Sequence, residues 1–147
     1  MRITLLLAVA VLVCGCGSDP PRQEVIHVHV HGRAANLPVT EGCFLLLRTN
    51  VVGGGWMTYC LERFINDPGP NVTVLDTGRL TFNLPQHTIH ATVHVRTKFG
   101  PDGEHAVQQL RGSVAGGGTI AGGGPYVEAP PGHVGASDLR YTIRLPA

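Results

Sequence analysis

Residues Gly78–Val114 read GRLTFNLPQHTIHATVHVRTKFGPDGEHAVQQLRGSV. In their middle, Ile89, Ala91, Val93 and Val95 alternate with His90, Thr92, His94 and Arg96. A period of two gives an extended chain one apolar and one polar face, whereas a helix would scatter the same residues around its cylinder. The pattern predicts three antiparallel strands, Gly78–Leu84, Thr88–Thr97 and His105–Val114. The joints at Pro85–His87 and Phe99–Gly103 carry turn-forming residues, and Asp102 is expected to serve as the turn residue of Pro101-Asp102-Gly103.

Working outward, Val25–His31 (VIHVHVH) alternates just as strictly and predicts a further strand. Cys43–Val51 and Trp56–Phe64 flank Gly53-Gly54-Gly55, a hairpin pattern, and a turn centred on those glycines would set Cys60 opposite Arg48. Val72–Asp76 reads as a short strand ending in a turn at Asp76-Thr77-Gly78, and Leu139–Leu145 as a closing strand. Gly32–Gly42 and Tyr126–Ser137 read as loops. The glycines at Gly116–Gly118 and Gly122–Gly124 suit bulges or tight barrel corners, since no helical pattern or Gly-Lys-Ser/Thr follows to make a phosphate loop. The expected fold is all-β: a single antiparallel β-barrel of about eight strands, with a two-sheet sandwich as the alternative.

Composition narrows the function. Charged residues are 14% of the 147, net charge is +1, and Lys98 is the only lysine. A nucleic-acid surface needs a concentrated basic stripe, so nucleic acid is not an expected partner. Arg2 followed by the apolar run Ile3–Val13 forms a targeting pattern too short to span a bilayer, which takes about 20 residues.

With Val13-Cys14-Gly15-Cys16 behind it, this segment resembles a bacterial lipoprotein signal peptide. The resemblance implies cleavage before Cys16, lipidation (palmitate among the acyl chains) of that residue, and a membrane-anchored envelope protein. Gly17, where aspartate would mark inner-membrane retention, implies the outer membrane where the cell has one. The domain plan is then a signal peptide over 1–15, a lipid-anchored tether over 16–24 and a β-barrel over 25–147. In an oxidising envelope the remaining Cys43 and Cys60 are expected to form a disulfide, worth about 3 kcal/mol on the chain-entropy estimate.

From Gly78 onward the order of features resembles the allene oxide cyclase and dirigent family of eight-stranded barrels. The counterparts are Leu80–Pro85, Thr88–Ala91, Ala106-Val107, Gly116–Thr119 and Tyr141–Leu145. Ile120-Ala121-Gly122-Gly123 stands where the family has an aromatic followed by Gly-Ala-x-Gly, and no cyclase active-site residue can be matched. The resemblance therefore implies the barrel, and a ligand cavity as a possibility of that fold.

The histidines are the one chemical constellation. His27, His29 and His31 share a face of one predicted strand, and His90 and His94 share a face of another. Alternate strand residues lie roughly 6.6 Å apart, so two imidazoles can converge on one cation but three in a row cannot. A zinc, copper or nickel site would need two of His27, His29 and His31 plus His90 or His94 from a neighbouring strand. Otherwise these histidines form a solvated polar face. No catalytic residues are assigned: Ser113 and Ser137 lie in no nucleophile elbow, and Glu41, Glu62, Asp76, Asp102, Glu104 and Asp138 are scattered. The reading is a non-catalytic envelope lipoprotein that binds a ligand or partner through a small β domain. The alternatives are a metal-binding lipoprotein and a cyclase-type isomerase.

Overall fold

The structure, a computed structural model, describes residues 22–37, 45–62, 69–128 and 134–147. They form eight antiparallel strands closed into one barrel, each strand paired with its neighbours in sequence and the last with the first. The strands are β1 (Gln23–Leu37), β2 (Leu45–Asn50), β3 (Trp56–Leu61), β4 (Thr73–Asn83), β5 (Thr88–Phe99), β6 (His105–Val114), β7 (Thr119–Val127) and β8 (Val134–Pro146). The barrel replaces the sandwich alternative, because β1 pairs with both β2 and β8 and leaves no open edge. Cys14, Cys16, Cys43 and His133 lie outside the described residues.

The period-two sidedness holds without exception along β5, where every second residue from Ile89 to Phe99 is buried and the residues between are exposed. Val28, Val30, Phe82, Ile120 and Ile143 join that strand's valines in the core, and Phe82 meets the Tyr141 ring edge-on at 5.6 Å. Burying one such side chain contributes about 1.5–3 kcal/mol, so the core is the main source of stability.

Four sequence expectations change. The expected turn at Asp76-Thr77-Gly78 is absent: β4 runs through it, pairing Asp76, Thr77 and Gly78 with Val95, His94 and Val93. Gly78 is needed there for space, since a Cβ would lie 2.3 Å from the Tyr59 ring. The β2–β3 turn spans Val51–Gly55, closed by the Val51 N–H donating to Gly55 O at 3.1 Å. Cys60 therefore faces Leu46, and Arg48 faces Thr58. Gly32 to Leu37 extends β1 rather than forming a loop, and Tyr126-Val127 and Val134–Ser137 belong to β7 and β8. Gly122–Gly124 lie within β7, held between β6 and β8, rather than at a corner.

Candidate functional site

The two ends of the barrel interior differ in chemistry. Where β4 leads into β5, the inward residues are apolar: Phe82, Ile89, Val114, Ile120 and Ile143. Towards the end where β5 leads into β6 they become polar. Thr49, Thr97, Gln108 and Ser137 are all buried there, alongside Tyr59 and, partly buried, Tyr126. Each sits on its strand's inward parity, so closure of the sheet puts these side chains into the interior.

Most of these groups satisfy one another. The Tyr141 hydroxyl donates to Gln108 Oε1 at 3.2 Å. The Thr49 and Ser137 hydroxyls lie 3.3 Å apart, and Ser137 also donates to the carbonyl of Gly32 at 3.3 Å. Tyr126 is hydrogen-bonded to the side chains of Thr97 and Glu128. The Tyr59 hydroxyl is the exception among the described residues: it is fully enclosed and has no hydrogen-bond partner. Beside it is a space of about 30 Å³ bordered by Gln108, Tyr126, Glu128 and Ser137. That volume accommodates a water or one polar group of a larger molecule.

Burial sets the protonation of this end. It pushes the Tyr59, Tyr126 and Tyr141 hydroxyls up, so all three stay neutral donors. It also raises the Glu128 carboxyl above its ordinary value, with the hydrogen bond from Tyr126 working partly against that shift. The result is a set of hydrogen-bonding groups, in which burial disfavours charge, against an apolar floor.

On the outer surface at the same end lies an open depression of about 650 Å³, bordered by His31, Phe99, His105 and Asp138 among others. It shares Tyr126, Val127, Ala136 and Ser137 with the interior space, so the two meet at the seam between β7 and β8. That seam is interrupted. Pairing runs from Thr119↔Arg144 to Gly123↔Arg140 and resumes at Tyr126↔Ser137, skipping Gly124 and Pro125. Proline brings no N–H to the ladder, which accounts for part of the gap.

The histidine candidates separate into two groups. His27, His29 and His31 lie on β1, and His90 and His94 on β5, all facing outward as expected. However, β1 pairs with β2 and β8, and three strands separate it from β5 in either direction around the barrel. A site combining His27, His29 or His31 with His90 or His94 is therefore ruled out by topology. His90 Nδ1 instead contacts the Thr81 hydroxyl at 3.0 Å, and His27 Nδ1 contacts that of Thr142 at 3.4 Å. The neighbour of His29 and His31 is Asp138 of β8, at 2.6 Å from His29 Nε2 and 4.0 Å from His31 Nδ1. The hydrogen bond from His29 holds the Asp138 carboxyl below its ordinary range.

No family model, curated protein or solved structure matches the chain. The fold and the site thus carry the functional reading by themselves.

Asp102 performs the expected turn role: its Oδ1 accepts the N–H groups of Glu104 and His105, both at 3.0 Å, and its Oδ2 meets His105 Nδ1. These bonds lower its carboxyl to about 2. Sequence reasoning missed Tyr59, Tyr126, Glu128 and Gln108. A signal existed for Gln108 and Thr97, which are polar residues on the parity of Leu110 and Val95. Tyr126 and Glu128 were hidden by reading Tyr126–Ser137 as a surface loop.

Proposed function

We propose that this chain is a membrane-tethered envelope β-barrel that binds a small, uncharged ligand at its polar end. In this reading the ligand's body rests in the outer depression, and one hydrogen-bonding group reaches past Ala136 towards Tyr59. The observation that carries it is the enclosed Tyr59 hydroxyl, which has no hydrogen-bond partner among the described residues. Leaving such a group unsatisfied costs about 1–3 kcal/mol, and a ligand's acceptor group would recover that. Burial keeps the Tyr126 hydroxyl protonated and disfavours charge on the Glu128 carboxyl, so the entrance favours an uncharged guest over an anion.

The tether belongs to the same reading. The barrel is oily inside and carries His, Thr and Arg outside, as along Thr92, His94 and Arg96. A barrel spanning a bilayer needs the reverse arrangement, so an acyl group on Cys16 supplies the membrane attachment. The Cys43–Cys60 disulfide is part of the proposal; Cys60 is buried and is not without a partner.

Titration with the neutral dye Nile red tests the pocket. Saturable, blue-shifted fluorescence is expected from the wild type, and loss of that signal from an Ala136→Trp variant with an unchanged far-ultraviolet spectrum. No saturable signal, or the same signal in Ala136→Trp, would contradict the proposal.

A further inference from the structure

We propose a second site, on the outside of the barrel: His29, His31 and Asp138 bind a divalent cation of the zinc, copper and nickel class. This site shares His31 and Asp138 with the rim of the outer depression, but it needs no ligand bound there.

β1 and β8 pair without interruption from Gln23↔Pro146 to Ala35↔Val134, which places Asp138 directly opposite His31. His29 is two residues along β1, so it projects from the same face and reaches Asp138 diagonally. One donor atom from each of the three residues lies within 4.8 Å of the other two, the one such three-residue group among the described residues. The His29 and His31 rings are 5.6 Å apart between centroids.

Metal–nitrogen bonds of about 2.0–2.1 Å in a tetrahedral site put donor atoms roughly 3.3 Å apart. The separations of His29 and His31 from Asp138, 2.6 Å and 4.0 Å, bracket that figure, and the donor atoms of the third pair, His29 and His31, lie within 4.8 Å of each other. Small side-chain rotations on two strands held in fixed register would therefore bring all three donors to bonding distance. Two imidazoles and one carboxylate suit zinc, copper or nickel better than magnesium or calcium, which prefer oxygen ligands throughout. Three protein ligands leave a coordination position for water or for a donor from another molecule. One feature of the surface opposes a cation: Arg140 Nε lies 4.0 Å from the same Asp138 oxygen. Arg140 is 73% exposed, so solvent screens its charge and the side chain can swing away.

Equilibrium dialysis of the detergent-solubilised full chain against zinc chloride at neutral pH tests the site. A single zinc per chain is expected, with affinity lowered about tenfold or more in both His31→Ala and Asp138→Ala. Arg140→Gln should tighten binding a few-fold by removing the competing charge, and a His90→Ala/His94→Ala double variant should bind as the wild type. Absence of zinc uptake overturns the proposal. So does wild-type affinity in His31→Ala and Asp138→Ala, which would mark adventitious binding by other surface imidazoles. Nile red binding is read separately, so the failure of either site is distinguishable from failure of the other.

Discussion

Tyr59 and Glu128 carry the account at the scale of single residues. A tyrosine ring enclosed against Gly78 would be an ordinary core residue but for its hydroxyl, which no described group meets. Tyr59→Phe should therefore raise the stability of the ligand-free protein by about 1–3 kcal/mol, as read by urea unfolding. A loss of stability would mean that the hydroxyl is already satisfied. The sidedness of Ile89, Ala91, Val93 and Val95 is legible in the sequence because alternation over four pairs has one structural solution. The polar end is much less legible. Thr97 and Gln108 continue the inward parity of their strands, yet a polar residue there is indistinguishable in sequence from the end of a strand. Only closure of the barrel shows that these side chains are enclosed together.

At the scale of elements, β7 is where propensity and structure diverge most. Gly122-Gly123-Gly124-Pro125 reads as a chain breaker by composition, but it forms the middle of a paired strand. The cause is close approach from both sides. A Cβ on Gly123 would lie 1.9 Å from the Gln108 carbonyl oxygen, and one on Gly122 would lie 2.1 Å from that of Arg140. Gly123 also has a φ of 145°, which a residue with a Cβ rarely adopts. Gly123→Ala is thus expected to cost roughly 2–4 kcal/mol, combining overpacking with backbone strain. An effect within about 0.5 kcal/mol, the range of an ordinary surface change, would show that β7 is not clamped between its neighbours. β4 gives the same lesson in milder form, since Asp76-Thr77-Gly78 has turn residues yet pairs with β5 throughout. Local turn chemistry loses to a continuous ladder whenever neighbouring strands supply every backbone partner.

For the whole molecule, the claim is that one barrel has an apolar floor at one end and a buried, hydrogen-bonding chamber at the other. The all-β class is legible in the sequence, because most strands carry their own alternation; the count of eight agrees only because reading β4 as two strands offsets the glycine-rich β7, which carries no such pattern. Which strands are neighbours is not legible, and that is why the histidines of β1 and β5 could be imagined as one cluster although the barrel separates them. The chamber has a global consequence through Glu128. Its folded carboxyl titrates above the ordinary value of 4.5, so unfolding releases a proton once pH exceeds that value. Stability contributed by the neutral, buried carboxyl is complete below 4.5 and declines as pH rises towards the raised folded value. Replacing Glu128 by glutamine keeps a neutral side chain of the same size and removes the titration. The most direct measurement is therefore the stability difference between wild type and Glu128→Gln, by urea unfolding from pH 4 to pH 8. The account predicts that the wild type loses stability relative to the variant as pH rises above 4.5; a difference that stays flat across the range would place Glu128 in ordinary solvent and contradict the chamber.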